Sequence, residues 1–353
     1  MLKTSGSFFV RKNHPINECL HRGFADEQAT GLSVGMTFLL LPLFFAHKIL
    51  SNFCVKFTKT VDKSRKICYP IHTKFLRIPV IPRQILRRFI MRIGRIQNNY
   101  SQNGFALVKE QSLEFIEICC NNAEEADRLI KAKNDVKRES EACGIPISCV
   151  GRWNHDLNCG GSIDEAKKAQ YLELLETAAY LGAKTFVCGC NYDNSISLFK
   201  NYENAIGFFK SLTDRAKELG DIKVAIQNCD WNNFITSPKH WEVVLGDNPD
   251  LYIKYDASHA YNRGEDYIAQ LSDWGERVAH IHIKGTTHAG KRPVDDPPAG
   301  MDDIKWPTLF SILYSRKYDG DLSIEPHSAA WLGALGAAGV LFTRDYIKKF
   351  VLR

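Results

Sequence analysis

From Met91 onward the chain alternates short apolar runs with longer amphipathic stretches, and it does so eight times. Few folds accept that pattern. Short runs that are apolar on both faces read as parallel strands, and each return to the same sheet direction needs a crossover helix. The predicted strands are residues 91–96, 113–118, 145–150, 185–188, 223–227, 251–255, 278–283 and 320–324. Helices are predicted around 105–109 and over 123–143, 163–181, 202–219, 239–245, 265–273, 306–316 and 338–350. Gly144, Gly182 and Gly220 follow three of these, as expected of the residue type that closes a helix. Eight such units point to an α/β fold, a closed parallel (β/α)8 barrel over residues 91–353, rather than an open doubly wound sheet. No glycine-rich phosphate fingerprint follows the first strand, which argues further against a nucleotide-binding sheet.

Residues 1–90 share none of this periodicity. They hold 15 Lys+Arg against 4 Asp+Glu, whereas residues 91–353 hold 31 against 36. The basic pI of about 8.6 therefore describes the first quarter of the chain only. Phosphate affinity needs positive charge clustered on the binding body, so the barrel is not expected to bind nucleic acid. The apolar run 34–46 is 13 residues long and contains Pro42. A spanning helix needs roughly 20 residues, and His47-Lys48 follows in place of a small-residue cleavage site. The expectation is an N-terminal extension, disordered or absent from the native protein, with translation starting at Met91. Membrane anchoring through 34–46 is the alternative. Eleven cysteines, odd in number and without a CxxC repeat, read as reduced, mostly buried thiols of a cytoplasmic protein. A redox role for the vicinal pair Cys119-Cys120 stays open.

In barrels of this kind the chemistry collects where strands end and loops begin. The fifth strand ends in Gln227-Asn-Cys-Asp230, the sixth in Asp256-Ala-Ser-His259, the seventh holds His280-Ile-His282-Ile-Lys284, and the eighth ends in Glu325-Pro-His327. Carboxylate, imidazole and carboxylate from three consecutive strand ends make an oxygen and nitrogen set suited to a divalent ion. His280 and His282 share a face because strand side chains alternate with period two. His282 stands nearer the mouth and is the expected ligand, whereas His280 is expected one layer down as a hydrogen-bonded core histidine. Arg152, Trp153, Asn154 and His155 after the third strand, and Trp231 and Asn232 after the fifth, suit a sugar or polyol. Aromatic rings stack on sugar faces, and amide and imidazole groups bond hydroxyls. Packing of their own loops is the plain alternative for both tryptophans. Lys284 suits a phosphate or carboxylate, or a solvated position, and His327 lies close enough to the mouth to contact substrate.

Asp-x-x-His on the sixth strand, His-x-His on the seventh and Tyr-Asp-Gly-x-Leu-Ser-Ile-Glu (318–325) on the eighth resemble the xylose isomerase-like TIM barrel superfamily. That group includes sugar phosphate isomerases and epimerases, inosose dehydratase and endonuclease IV. The resemblance covers about residues 91–353 and is strongest over 223–328. It implies a divalent ion, commonly manganese, with magnesium, cobalt or zinc as alternatives. It places the ligands at Asp256, His282 and Glu325, with His259 contacting substrate. It also implies a small sugar or polyol substrate and a homo-oligomer. The strand-5 position departs from the pattern, because Gln227 stands where the epimerases carry Glu. In those enzymes the strand-5 and strand-8 acids form the proton-transfer pair. An amide can ligate a metal through its oxygen but cannot shuttle a proton at neutral pH.

Three outcomes follow from Gln227. Asp230 or another group substitutes, the chemistry uses one base, or the barrel binds without turnover. The leading expectation is a metal-dependent sugar or sugar-phosphate isomerase or epimerase. In it Glu325 moves the proton, His259 and His155 orient hydroxyls, and Gln227 is a weak fourth ligand. A keto-polyol dehydratase and a non-catalytic sugar-binding barrel are the alternatives. The loop after the seventh strand holds His288, Asp295 and Asp296 but no Asp-x-His pair, which fits endonuclease IV poorly.

Overall fold

The computed structural model describes residues 91–352. The expectations for residues 1–90, including the apolar run 34–46, lie outside these. Eight parallel strands close into a barrel: β1 (Arg92–Ile96), β2 (Ile116–Cys120), β3 (Ile147–Arg152), β4 (Thr185–Cys188), β5 (Lys223–Gln227), β6 (Leu251–Asp256), β7 (Val278–Ile283) and β8 (Asp321–Ile324). Each pairs with its sequence neighbour and β8 closes on β1, with Arg92 opposite Asp321 and Arg95 opposite Ile324. The outer layer holds α1 (Gln102–Glu110), α2 (Ala123–Cys143), α3 (Glu165–Tyr180), α4 (Leu198–Leu219), α5 (Pro238–Val244), α6 (Ala257–Asn262), α7 (Tyr267–Trp274), α8 (Trp306–Ser315) and α9 (Gly333–Ile347). No helix among the described residues is long and apolar enough to cross a membrane.

Local sequence explains the boundaries. Asn122 caps α2 by accepting from the Glu125 amide, Glu124 and Glu125 sit in the positive first turn, and Gly144 ends the helix at φ 69°. Asp164 and Ser197 cap α3 and α4 through their side chains, so α4 starts four residues before the predicted 202. Other predicted boundaries moved as well. The third strand begins at Ile147 rather than 145, because Pro146 has no N–H to give a ladder, and it runs on to include Arg152. The second begins at Ile116 rather than 113. The last helix starts at Gly333, five residues before the predicted 338.

Between strands and helices lies the apolar core, with Phe105, Phe186, Phe208, Trp241, Trp306 and Phe310 all fully or nearly fully buried. Inside the barrel the filling is mixed. Cys119, Cys149, Trp153, Val187 and Ala225 form a small apolar cluster there. Two irregularities in register set what joins them. Opposite β6, β7 shifts so that Ile253 faces Val278 but Lys254 faces His280. Opposite β2, β3 shifts so that Ile116 faces Ile147 but Glu117 faces Cys149. An extra residue of this kind re-aims the side chains beyond it, and here it brings His280 and His282 level with Lys254 and Asp256.

Of the eight cysteines among the described residues, six are buried and none is paired. Cys119 and Cys120 belong to separate apolar clusters, as alternation along a strand requires. Burial pushes the Cys120 thiol up to about 12 and Cys119 well above its ordinary range.

Asp302, just before α8, carries a testable electrostatic cost. Its carboxylate accepts from the Gly300 amide at 2.9 Å and from Trp306 Nε1 at 3.0 Å. Burial nevertheless raises its pKa to about 6. An acid raised in the fold contributes most below its unfolded pKa and loses that contribution as pH climbs through the folded value. Asp302→Asn is therefore expected to stabilise the protein by about 2 kcal/mol at pH 7 and to have little effect near pH 4. Urea unfolding midpoints at the two pH values measure this, and equal shifts at both would refute it.

Candidate functional site

The C-terminal ends of β5 to β8 converge on a cavity of about 500 Å³, walled by Trp153, Trp231, Lys254, His259, Lys284 and Glu325, with His327 at its edge. Asp256 and His282 sit one contact behind this wall. Asp256 ends β6 and is also the N-cap of α6, a short helix that the sequence reading treated as loop. Its Oδ1 accepts from the Ser258 amide at 2.9 Å and from Ser258 Oγ at 2.7 Å. Its Oδ2, fully buried, has no hydrogen-bond partner. Capping thus uses one oxygen and leaves the other for an ionic partner.

That oxygen faces Lys284 Nζ at 3.4 Å, His259 Nε2 at 3.5 Å and Lys254 Nζ at 4.0 Å. Lys284 Nζ also donates to His259 Nε2 at 3.1 Å and stands 3.8 Å from Glu325 Oε2. Burial and the Lys284 ammonium push the His259 pKa down to about 3, so the ring is neutral and accepts. Burial opposes the charge of Lys284, but Asp256 and Glu325 outweigh it and raise its pKa. Burial likewise opposes the charges of Asp256 and Glu325. Lys284 leads the cations that hold both below the ordinary carboxylate range, joined by Lys254 at each and by His282 at Glu325.

His282 bridges two carboxylates. Its Nδ1 lies 2.9 Å from Glu325 Oε2, and its Nε2 lies 2.9 and 3.0 Å from the two oxygens of Glu117. His280 Nε2 reaches the same Glu117 at 2.8 Å. Glu117 is completely buried on β2, and the two imidazoles hold its carboxyl well below the ordinary range against the opposing effect of burial. Trp153 stacks on His282 with ring centroids 6.3 Å apart and 15° between planes. Gly151 makes that possible, since a Cβ there would lie 1.7 Å from the Trp153 ring.

A histidine whose outer nitrogen is fixed by a buried carboxylate presents its other nitrogen in one direction, as metal-ligating histidines do. Ligand atoms of Asp256, His282 and Glu325 all lie within 4.8 Å of one another. Gln227 Oε1 is a second buried acceptor without a partner. Its Nε2 donates to His155 Nε2 at 3.0 Å, and His155 Nδ1 in turn pairs with Tyr171 Oη at 2.8 Å. Burial, and then Arg152, push His155 well below its ordinary pKa, so it is neutral. Gly189 makes room for it, because a Cβ there would stand 2.7 Å from His155 Nε2. One orphaned carboxylate oxygen, one oriented imidazole and one further carboxylate lie close enough together to suit a divalent ion, although Lys284 shares the same two carboxylates.

The remaining candidates are placed unequally. Trp231 lines the cavity and is 46% exposed, and His327 is exposed with Nδ1 2.8 Å from Asp296 Oδ2, which raises its pKa. His155 faces a neighbouring hollow shared with Asp230 and Asn232. Arg152 does not wall the cavity. Its guanidinium is buried against the carbonyls of Trp153 and Asn154 and over the Tyr171 ring, 5.7 Å from the centroid. Asp230 is exposed in the loop after β5, with a ligand atom within 4.8 Å of His259.

A sequence profile of the xylose isomerase-like TIM barrel family matches residues 105–345. The chain belongs to this family. No curated protein matches it. Among solved structures, the 3-keto-D-glucoside 4-epimerase of E. coli is similar, at 16% identity over 73% of this chain and 99% of that one, with a TM-score of 0.60. The D-psicose 3-epimerase of Clostridium cellulolyticum H10, solved with D-tagatose, is 14% identical over 74% and 100%, with a TM-score of 0.60. The D-allulose 3-epimerase of a Methylomonas species is 17% identical over 74% and 98%, with a TM-score of 0.57. At these identities the likeness is one of fold.

Two residues of this family member escaped the sequence reading, Glu117 and Lys254. Each is a charge flanked on both sides by apolar residues, Phe-Ile-Glu-Ile-Cys and Tyr-Ile-Lys-Tyr-Asp. The signal was there for Lys254, which stands two residues before Asp256 and therefore shares its face.

Proposed function

We propose that the protein is a divalent-metal-dependent sugar or sugar-phosphate isomerase or epimerase that moves a proton at the carbon next to a carbonyl. The observation that carries this reading is Glu325, the one carboxylate lining the cavity among the described residues. Lys284 and His282 keep it ionised, so it starts as a base. An ion held by Asp256 Oδ2, His282 Nδ1, Glu325 and the Gln227 carbonyl, with manganese the first choice, would polarise the carbonyl and hydroxyl oxygens of the substrate. The Lys284 ammonium stabilises charge developing on the carbonyl oxygen. Neutral His259 accepts from a hydroxyl once Lys284 turns to the substrate. Trp153 and Trp231 supply apolar faces on which a sugar ring rests. Proton return on the opposite face falls to Asp230, the exposed acid nearest His259. The sugar epimerases of similar fold support a sugar as the ligand class.

A second reading, a keto-polyol dehydratase, is favoured by one observation. Gln227 binds neutral His155 where a second base would stand, and a dehydratase needs only one base and a leaving hydroxyl. The test is incubation of a ketose panel in D2O with Mn2+. Deuterium is expected at the carbon beside the carbonyl, and its incorporation is expected to stop on chelation. Loss of water from the sugar would select the dehydratase. Binding without exchange or elimination would reject both enzymes in favour of a sugar-binding barrel.

A further inference from the structure

We propose that Lys254 is a substrate-recognition residue and that the substrate carries an anionic group, a carboxylate or a phosphate. Lys254 is 1% exposed, yet it lines the cavity. Among the described residues no hydrogen-bond acceptor reaches its Nζ, and its nearest carboxylate oxygen, Asp256 Oδ2, is 4.0 Å away. That oxygen is already shared with Lys284 at 3.4 Å, and the other Asp256 oxygen is used in capping α6. The remaining neighbour is the Trp153 ring, with Nζ 6.0 Å from its centroid. An ammonium confined among protein groups is costly unless an acceptor meets it, and the side of Lys254 on which one can do so is the cavity.

Among the described residues no ion pair joins Glu325 to Lys254, and the Glu325 Oε2 atom faces His282 at 2.9 Å and Lys284 at 3.8 Å. Lys284 lies 3.4 Å from Asp256 and 3.8 Å from Glu325, nearer to both carboxylates than Lys254 is. A divalent ion on Asp256, His282 and Glu325 would draw further on the same two carboxylates. The open side of Lys254 is the cavity, so the balancing charge comes from what enters it. Carboxylates and phosphates are the anions that accept charge-assisted hydrogen bonds from an ammonium. This rests on the sugar-binding reading for the body of the ligand but not for its charge.

Calorimetric titration of the full chain, with and without Mn2+, tests it. The probes are D-fructose, D-fructose 6-phosphate and 2-keto-D-gluconate, with phosphate and malonate as anions lacking a sugar. At least one anionic sugar is expected to bind about tenfold more tightly than D-fructose, and the winner identifies the anion. Lys254→Met is expected to erase that preference while changing D-fructose affinity by less than about threefold. Retained D-fructose binding shows that the variant is folded. D-fructose binding as tightly as both anionic sugars, or an unchanged preference in Lys254→Met, overturns the proposal and leaves the sugar reading standing. Phosphate or malonate binding lost in Lys254→Met, with no sugar bound, supports the anion site and rejects the sugar. Silence from all five probes rejects both.

Discussion

Glu325→Gln is expected to reduce deuterium incorporation into a ketose by about 10³-fold while changing stability by less than about 1 kcal/mol. The amide keeps an oxygen that can accept from His282 Nδ1, now 2.9 Å from the carboxylate, so local packing survives. What it loses is the one carboxylate among the described cavity-lining residues. Because β5 ends in Gln227, the variant would have an amide at the ends of both strands. Single-turnover exchange, read by mass spectrometry, gives the rate, and urea unfolding gives the stability. A fall of less than about tenfold would remove Glu325 from the proton path and shift attention to Asp230.

The second large effect is on the frame. Glu117→Ala is expected to destabilise the protein by about 3–5 kcal/mol, because it leaves two buried imidazoles without their shared carboxylate. Glu117 contacts His280 at 2.8 Å and His282 at 2.9 Å, and all three side chains are 1% exposed or less. Glu117→Gln keeps the volume and one acceptor and should cost less. It should still weaken Mn2+ binding by about 10–100-fold, as loss of an orienting carboxylate behind a ligating histidine does. Denaturant titration separates the Ala and Gln variants. Isothermal titration with Mn2+ separates stability from metal affinity, and unchanged affinity in Glu117→Gln would show that His282 needs no such orientation.

Much of this protein was legible as text. Eight apolar runs at regular spacing gave the barrel, because alternation with helices leaves a parallel sheet few ways to close. Strands β4, β5 and β7 matched their predicted spans. Caps were readable too, because Asn122, Asp164 and Gly144 act on backbone groups within a few residues. Errors of two or three residues fell where a proline or a local turn, not the apolar pattern, set the strand start. The short α6 was missed because six residues carry no helical period, and its start depends on the Asp256 cap.

The sequence by itself therefore determined the barrel and which strand ends carry polar groups, because both follow from local periodicity and from contacts short along the chain. Only the tertiary structure decided how those groups act on one another. Glu117 lies 163 residues from His280 and 165 from His282, and the contact between them exists only because the sheet closes. Shifts in register beside Cys149 and His280 bring these groups to one level, and no residue pattern announces them. Likewise Gln227 was readable as an amide at a strand end, but its bond to a neutral His155 required the loop after β3 to reach β5 across β4. Lys254 changed most, from an unremarked charge in an apolar run to a buried cation facing the cavity. Burial and pairing are properties of three-dimensional neighbours, and it is these that turn a charge into a site.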